Sequence, residues 1–320
     1  MIDTSFIDLP SGIRLSCRIA GADDAPVLLF LHGFPEAAFV WDDMLRHFGP
    51  RYRCVAPNLR GYERSSAPVE PEAYRAKHLV ADVAALIDRL GGRVDALIAH
   101  DWGGAVAWNV AALHPQRLKR LVIINAPHPA TFLRELQHNP AQQAASAYMN
   151  FLSRADAARL LAEDDFARLW PFLAGRGEVN ASRPGAGWLT DAVKDQYRAV
   201  WRQGLVGPVN FYRASPLRPP TEDDASVMQI QLPPETVTVR VPTHIVWAEG
   251  DTALLPALVD GLETFVPEMT LVRIPQATHW VIHEQPARIA QEIESALANQ
   301  ESPSDQPADP SLRTRRSTAR

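Results

Sequence analysis

Ala96-Leu97-Ile98-Ala99-His100-Asp101-Trp102-Gly103-Gly104 is the stretch on which the fold turns. An apolar run meets a carboxylate, two glycines follow, and a helical pattern begins. This reads as strand, tight turn, helix. A nucleophile elbow demands a small residue two before its tip and another two after it, so that the strained tip projects at the carboxyl end of the sheet beside a helix N-terminus. Ala99 and Gly103 meet that demand, and the tip is Asp101. An ordinary aspartate, with a pKa of about 3.9, is ionised at neutral pH. It attacks without help from a base, whereas a serine needs one. Attack on an ester would give a high-energy anhydride; attack on an sp³ carbon gives a plain alkyl ester. Asp at the tip therefore points to epoxides or haloalkanes rather than carboxylic esters. The competing reading is an Asp that caps the following helix, and the rest of the chain decides between them.

The flanks supply the context. A hairpin is expected from 6–9 and 13–20 around Pro10-Ser11-Gly12. Unbroken apolar runs follow at 27–31, 54–56, 96–99 and 121–124. Runs without alternation suit strands buried on both faces of a parallel sheet. Leu79, Val83, Leu86, Ile87 and Leu90 fall at helical spacing before Gly91-Gly92. A helix after Asp101 is expected to bury Val106, Val110 and Leu113, with Pro115 beyond its end. Strand–helix alternation implies an α/β fold with a mostly parallel central sheet. Between 128 and 240 the strand rhythm stops. Helical stretches take over, with Tyr148, Trp170, Trp188, Trp201, Phe211 and Tyr212 among them and a Gly/Pro/Ser/Asn-rich loop at 175–187. The rhythm resumes at 244–248 and 270–274. We therefore expect a core domain of 1–127 and 241–298, an inserted helical cap (lid) at 128–240, and a disordered tail at 299–320.

Asp251 follows the run at 244–248, and His279 follows that at 270–274. Both sit where strand carboxyl ends meet loops, the functional edge of an open α/β sheet. The order nucleophile, acid, histidine is that of the α/β-hydrolase fold. In this scheme Asp251 sets the tautomer of His279 and stabilises its imidazolium. His279 deprotonates the water that attacks alkylated Asp101. Glu249 is the rival acid. His279 and His283, four apart, could face a metal, but there is no HExxH and no evident third ligand, so neither metal nor cofactor is expected. The loop Leu31-His32-Gly33-Phe34-Pro35-Glu36 can aim the Phe34 N–H at a developing oxyanion, paired with that of Trp102. His32 and His100 are read as hydrogen-bonded groups of the site, with His32 counted among the binding residues. His128 and His138 are read as helix-surface or cap residues.

With those residues in place, the chain resembles the α/β-hydrolase-fold epoxide hydrolases over nearly its whole length, to about Ala298. The matching segments are 32–36, Asn58-Leu59-Arg60-Gly61-Tyr62-Glu63-Arg64-Ser65-Ser66, 100–104, Asn125-Ala126-Pro127-His128-Pro129, and the surroundings of Asp251 and His279. Ala99 departs from a glycine common in that family, but it remains small. The resemblance implies two cap tyrosines that hydrogen-bond the epoxide oxygen. Tyr148, after Asn139-Pro140, matches one. Tyr212, closing Gly207-Pro208-Val209-Asn210-Phe211-Tyr212, matches the other. Ring opening expels an alkoxide, and a phenol of pKa about 10 can donate to it. The resemblance thus implies conversion of an epoxide to a vicinal diol through a covalent ester on Asp101.

Two other readings are weighed. A haloalkane dehalogenase shares the Asp nucleophile and often the following Trp, but many carry Asn where Phe34 stands and need halide donors rather than paired phenols. A non-catalytic hydrolase-fold binding protein would show a broken triad, and none is visible. A net charge of −5 with no basic stripe argues against nucleic acid and anionic membrane as partners. The expected partners are a small-molecule epoxide and water, with monomer and homodimer both open. Cys17 and Cys54 suggest no disulfide framework, and Met1–Ser5 lacks a basic-then-apolar signal, so a cytoplasmic setting is expected.

Overall fold

The computed structural model describes residues 1–174 and 186–298. Residues 175–185 of the expected loop and the whole 299–320 tail lie outside the described residues. One eight-stranded sheet forms the centre, built from β1 (Asp3–Asp8), β2 (Arg14–Ala20), β3 (Val27–Leu31), β4 (Arg53–Pro57), β5 (Ala96–His100), β6 (Leu121–Ile124), β7 (Thr243–Ala248) and β8 (Met269–Ile274). Their spatial order is β1-β2-β4-β3-β5-β6-β7-β8. The first hairpin, β1 with β2, and the β2–β4 pair are antiparallel; every later pair is parallel. Every residue of β3, β5, β6 and β7 is buried, which is what unbroken apolar runs demand of interior strands. At the edge, only Ile274 of β8 is buried.

Helices α1 (Asp42–Phe48), α2 (Ala76–Arg89) and α3 (Asp101–Leu113) precede β6, and α12 (Val281–Glu284) and α13 (Pro286–Ala298) follow β8. Val106 and Val110 of α3 are buried as expected, but Leu113 is 55% exposed. The reason is its direction. At about 100° per residue, Leu113 falls just outside the arc that Val106, Val110, Ala107 and Ala111 bury, and it is the last residue of the helix.

Between β6 and β7 the described residues hold helices and no strand. These are α4 (Pro129–His138), α5 (Pro140–Ala145), α6 (Tyr148–Leu152), α7 (Ala157–Phe166), α8 (Trp170–Ala174), α9 (Asp191–Trp201), α10 (Val206–Ala214) and α11 (Pro234–Val237). Named bonds seat this segment on the sheet side. The Tyr197 hydroxyl donates to Glu36 Oε1 at 2.9 Å, Trp201 Nε1 to the Pro35 carbonyl at 2.7 Å, and Asn210 Nδ2 to the Val69 carbonyl at 3.1 Å. One close approach lies between two glycines. A Cβ on Gly207, at the start of α10, would collide with the Cα, carbonyl carbon and oxygen of Gly61. Gly61 itself has φ +88°, a conformation that favours glycine.

The loop that carries Gly61 is pinned from beneath. Arg60 forks onto Asp82 of α2 with two bonds of 2.7 Å, and its third nitrogen donates to the Ala73 carbonyl at 2.8 Å. Both side chains are buried, so this pair is a matched charge in a place where either alone would be costly. No helix among the described residues is long and apolar enough to cross a membrane.

Candidate active site

Asp101 closes β5 and opens α3 with φ +50°, a strained value for a residue with a side chain. Its neighbours explain why the chain can hold it there. A Cβ on Gly33 would collide with the Asp101 side chain, and one on Gly103 would stand 2.6 Å from the carbonyl oxygens of Leu31 and His32. The small residues of the elbow thus make room for the turn on both sides. Asp101 is held by Oδ1, which accepts the Phe34 N–H at 2.7 Å. Its Oδ2 lies 3.6 Å from His279 Nε2.

His279 Nδ1 faces Asp251 Oδ2 at 2.7 Å. The same oxygen accepts from Asn125 Nδ2 at 3.0 Å, while Asp251 Oδ1 accepts the N–H groups of Ala253 and Leu254 at 2.8 and 3.0 Å. Burial alone would raise the carboxyl, but His279 and these donors outweigh it and hold Asp251 below its usual range. For His279 burial works downward. The carboxylates of Asp251, Asp101 and Glu36 more than reverse it and push the imidazole up to about 9. Glu249 points away and pairs with Arg273 at 3.4 Å.

The expected phenols meet above Asp101. Tyr148 and Tyr212 have ring centroids 6.1 Å apart, and Tyr212 stands edge-on to both Phe34 and Trp102 at 5.1 Å. Burial first, then the neighbouring Tyr148 and Asp101, hold the Tyr212 phenol well above its ordinary pKa, so it keeps its proton. Asp101, Trp102, Tyr148 and Tyr212 all line a cavity of about 250 Å³, whose surface is mostly apolar.

His32 is the hydrogen-bonded structural group it was read as, but it is buried away from the cavity and does not take the binding role also given to it. It has no exposed surface, and its ring nitrogens are engaged by the Gly33 carbonyl at 3.0 Å and the Leu59 N–H at 3.1 Å. Burial lowers it to about 4, and so it stays neutral and braces the loop. His100 joins the site from behind, between Glu36 Oε2 at 3.3 Å and the His279 carbonyl at 2.9 Å. His128 caps α4 and reaches the Val237 carbonyl at 2.9 Å, while His138 is exposed.

Two residues of this constellation, Glu36 and Asn125, carry no assigned role in the sequence. Glu36 is fully buried and accepts from Tyr197; its Oε1 also lies 2.6 Å from His283 Nε2. Its place in the HGFPE loop was visible, but the partners come from α9 and α12. Asn125, at the end of β6 with φ +40°, bonds Asp251 and the Ala248 backbone through both ends of its amide. The only sequence signal was its position at a strand's carboxyl end.

Comparison with known proteins agrees with this geometry. Residues 26–286 match the α/β hydrolase fold family. The mouse protein named epoxide hydrolase 4 is 31% identical over 86% of this chain and 74% of its own length. A solved structure described among novel epoxide hydrolases from metagenomes of hot environments superposes with a TM-score of 0.83 at 36% identity, covering 94% of this chain and all of that one. The Bacillus megaterium epoxide hydrolase bound to an inhibitor gives 0.82 at 29% identity, over 92% of this chain and 99% of its own. The elbow with aspartate at its tip, the strand order and these likenesses agree, and the chain belongs to the α/β hydrolase fold family, in its epoxide hydrolase branch.

Proposed function

We propose that the protein hydrolyses an epoxide to a vicinal diol in two steps, with Asp101 as covalent nucleophile and residues 128–240 as a cap over the site. The observation that carries this reading is the position of Asp101. One oxygen is tied to the Phe34 amide, the other faces His279, and the carboxylate opens onto a cavity shared with two phenols. In the first step the carboxylate attacks an oxirane carbon, the carbon–oxygen bond breaks, and the alkoxide takes a proton from Tyr148 or Tyr212. The His279 imidazolium supplies the proton that restores the phenol. In the second step neutral His279 takes a proton from water, and hydroxide attacks the ester carbon of Asp101. The Phe34 N–H stabilises the oxyanion. As the C–O bond to the diol breaks, its alkoxide takes a proton from the His279 imidazolium, and the Asp101 carboxyl gives its own proton back to His279, which restores carboxylate and imidazolium.

Charge times these steps. Alkylation removes the negative charge of Asp101, one of the three that raise His279. The imidazole then falls from about 9 toward the range in which it can accept water's proton. The direct test is incubation of the purified protein with styrene oxide in ¹⁸O water under single-turnover conditions. Diol should appear and the Asp101 peptide should gain ¹⁸O. Diol without label in that peptide would overturn the covalent route. Halide release from haloalkanes with epoxides left intact would move the protein to dehalogenase chemistry.

A further inference from the structure

The cavity has one polar side chain that the reaction does not use and whose bonding is incomplete. It runs along α3, from Asp101 past Ala105 and Val106 to Asn109. Asp101, Ala105 and Asn109 lie on one helix face, at spacings of four and eight. Apart from Asp101, the two phenols and the Trp102 indole, the polar side chains on its wall are Tyr74, Asn109 and Ser215. Tyr74 donates to the Pro68 carbonyl at 2.8 Å, and Ser215 folds back on Leu217.

Asn109 is anchored at one end. Its Nδ2 donates to the Ala105 carbonyl at 2.8 Å. A carbonyl can only accept, so the NH₂ must face it and Oδ1 must point the other way. No donor among the described residues reaches that oxygen. The bond to the helix thus presents a fixed acceptor at the far part of an apolar cavity. Eight residues of helix separate it from the nucleophile, about 12 Å along the axis.

We infer that Asn109 is a specificity-determining residue, which recognises a hydrogen-bond donor on the substrate's tail at a set distance from the oxirane. This inference rests on the epoxide reading above. The substrate class is an epoxide with an apolar chain that ends in a hydroxyl or N–H group about ten bonds away, taking about 1.2 Å per bond of extended chain. A terminal carboxylate is disfavoured, because it would set acceptor against acceptor, and the cavity wall carries no Lys, Arg or His to receive it.

The experiment compares kcat/KM for 1,2-epoxydecane and its 10-hydroxy counterpart in wild type, Asn109→Leu and Asn109→Ala. Each enzyme serves as its own control, since a general loss of packing lowers both values together. Wild type should prefer the hydroxylated epoxide, and both variants should lose about three- to ten-fold of that preference, as expected for one hydrogen bond. A ratio that stays within two-fold of wild type in either folded variant overturns the assignment. If wild type opens both epoxides without preferring the hydroxylated one, the tail recognition fails while the epoxide reading stands. A wild type that opens neither compound nor styrene oxide overturns the epoxide reading, and this inference with it.

Discussion

Asn125 braces the far side of Asp251. Its Nδ2 donates at 3.0 Å to the same Oδ2 that faces His279 Nδ1 at 2.7 Å. The amide is itself locked, since its Oδ1 accepts the Ala248 N–H at 2.8 Å. The acid therefore cannot swing away from the imidazole without breaking a buried bond. We expect Asn125→Ala to slow ester hydrolysis about ten-fold, the scale of a hydrogen bond to a charged group, and to spare alkylation. Rapid-quench kinetics separates the two rates. Equal slowing of both steps would mean that Asn125 merely supports the fold.

His279→Gln should let the ester form and stall its hydrolysis. Intact mass spectrometry should then show enzyme plus one substrate mass, mapping to the peptide of Asp101. An adduct elsewhere would exclude Asp101 as nucleophile.

The raised imidazole has a consequence for stability. A histidine at about 9 when folded and about 6.5 when unfolded contributes stability that is full below pH 6.5 and lost as pH rises through 9. Between pH 6 and 9.5 the wild type should lose on the order of 3 kcal/mol more unfolding free energy than His279→Gln. Urea titrations across that range give the comparison. Parallel curves would show that the folded imidazole is not raised.

The phenols separate epoxide from halide chemistry. Loss of one hydroxyl, in Tyr148→Phe or Tyr212→Phe, should slow alkylation up to about 10²-fold. Loss of both should nearly abolish it, non-additively, because the two act on one oxygen. Stopped-flow measurement of alkylation, with circular dichroism as a folding check, reads the effect. A folded double variant that alkylates at the wild-type rate would remove both tyrosines from the mechanism.

Asp82→Ala should strand the buried Arg60 guanidinium and destabilise the fold by about 3–5 kcal/mol. Replacing both partners with apolar residues of similar volume should cost much less. Denaturation midpoints of the single and double variants decide it; equal losses would show that the loop needs the pair itself.

Much of the fold and of the site is legible in the sequence. The elbow could be read because its small residues sit two before and two after Asp101. β3, β5, β6 and β7 could be read because burial on both faces leaves an uninterrupted apolar run. Leu113 differs from the expectation because apolar spacing does not show how wide the buried arc of a helix is, and Leu113 falls just outside it in the last turn. Glu36 with Tyr197 and His283 was out of reach for a different reason. Those residues lie 161 and 247 positions from Glu36, and nothing local marks contacts of that span. His32 misled because a histidine beside an oxyanion loop reads alike whether its nitrogens meet substrate or backbone.

The contact of Gly61 with Gly207 bears on how this enzyme could change. Two backbones meet with only hydrogens between them, so any side chain at either position would lift α10 and carry Tyr212 off its mark. Gly207→Ala should therefore impair alkylation even though it touches no reacting atom. Another part of the wall, at Leu217, Ile230 and Leu232, comes from connecting segments outside the α-helices and is held by side-chain bonds such as Gln137 Nε2 to the Ile230 carbonyl at 3.0 Å. Directed evolution of this scaffold should accordingly find new selectivities among those positions and tolerate almost nothing at the glycines. One part of the pocket is free to drift while the chemistry stays anchored to another.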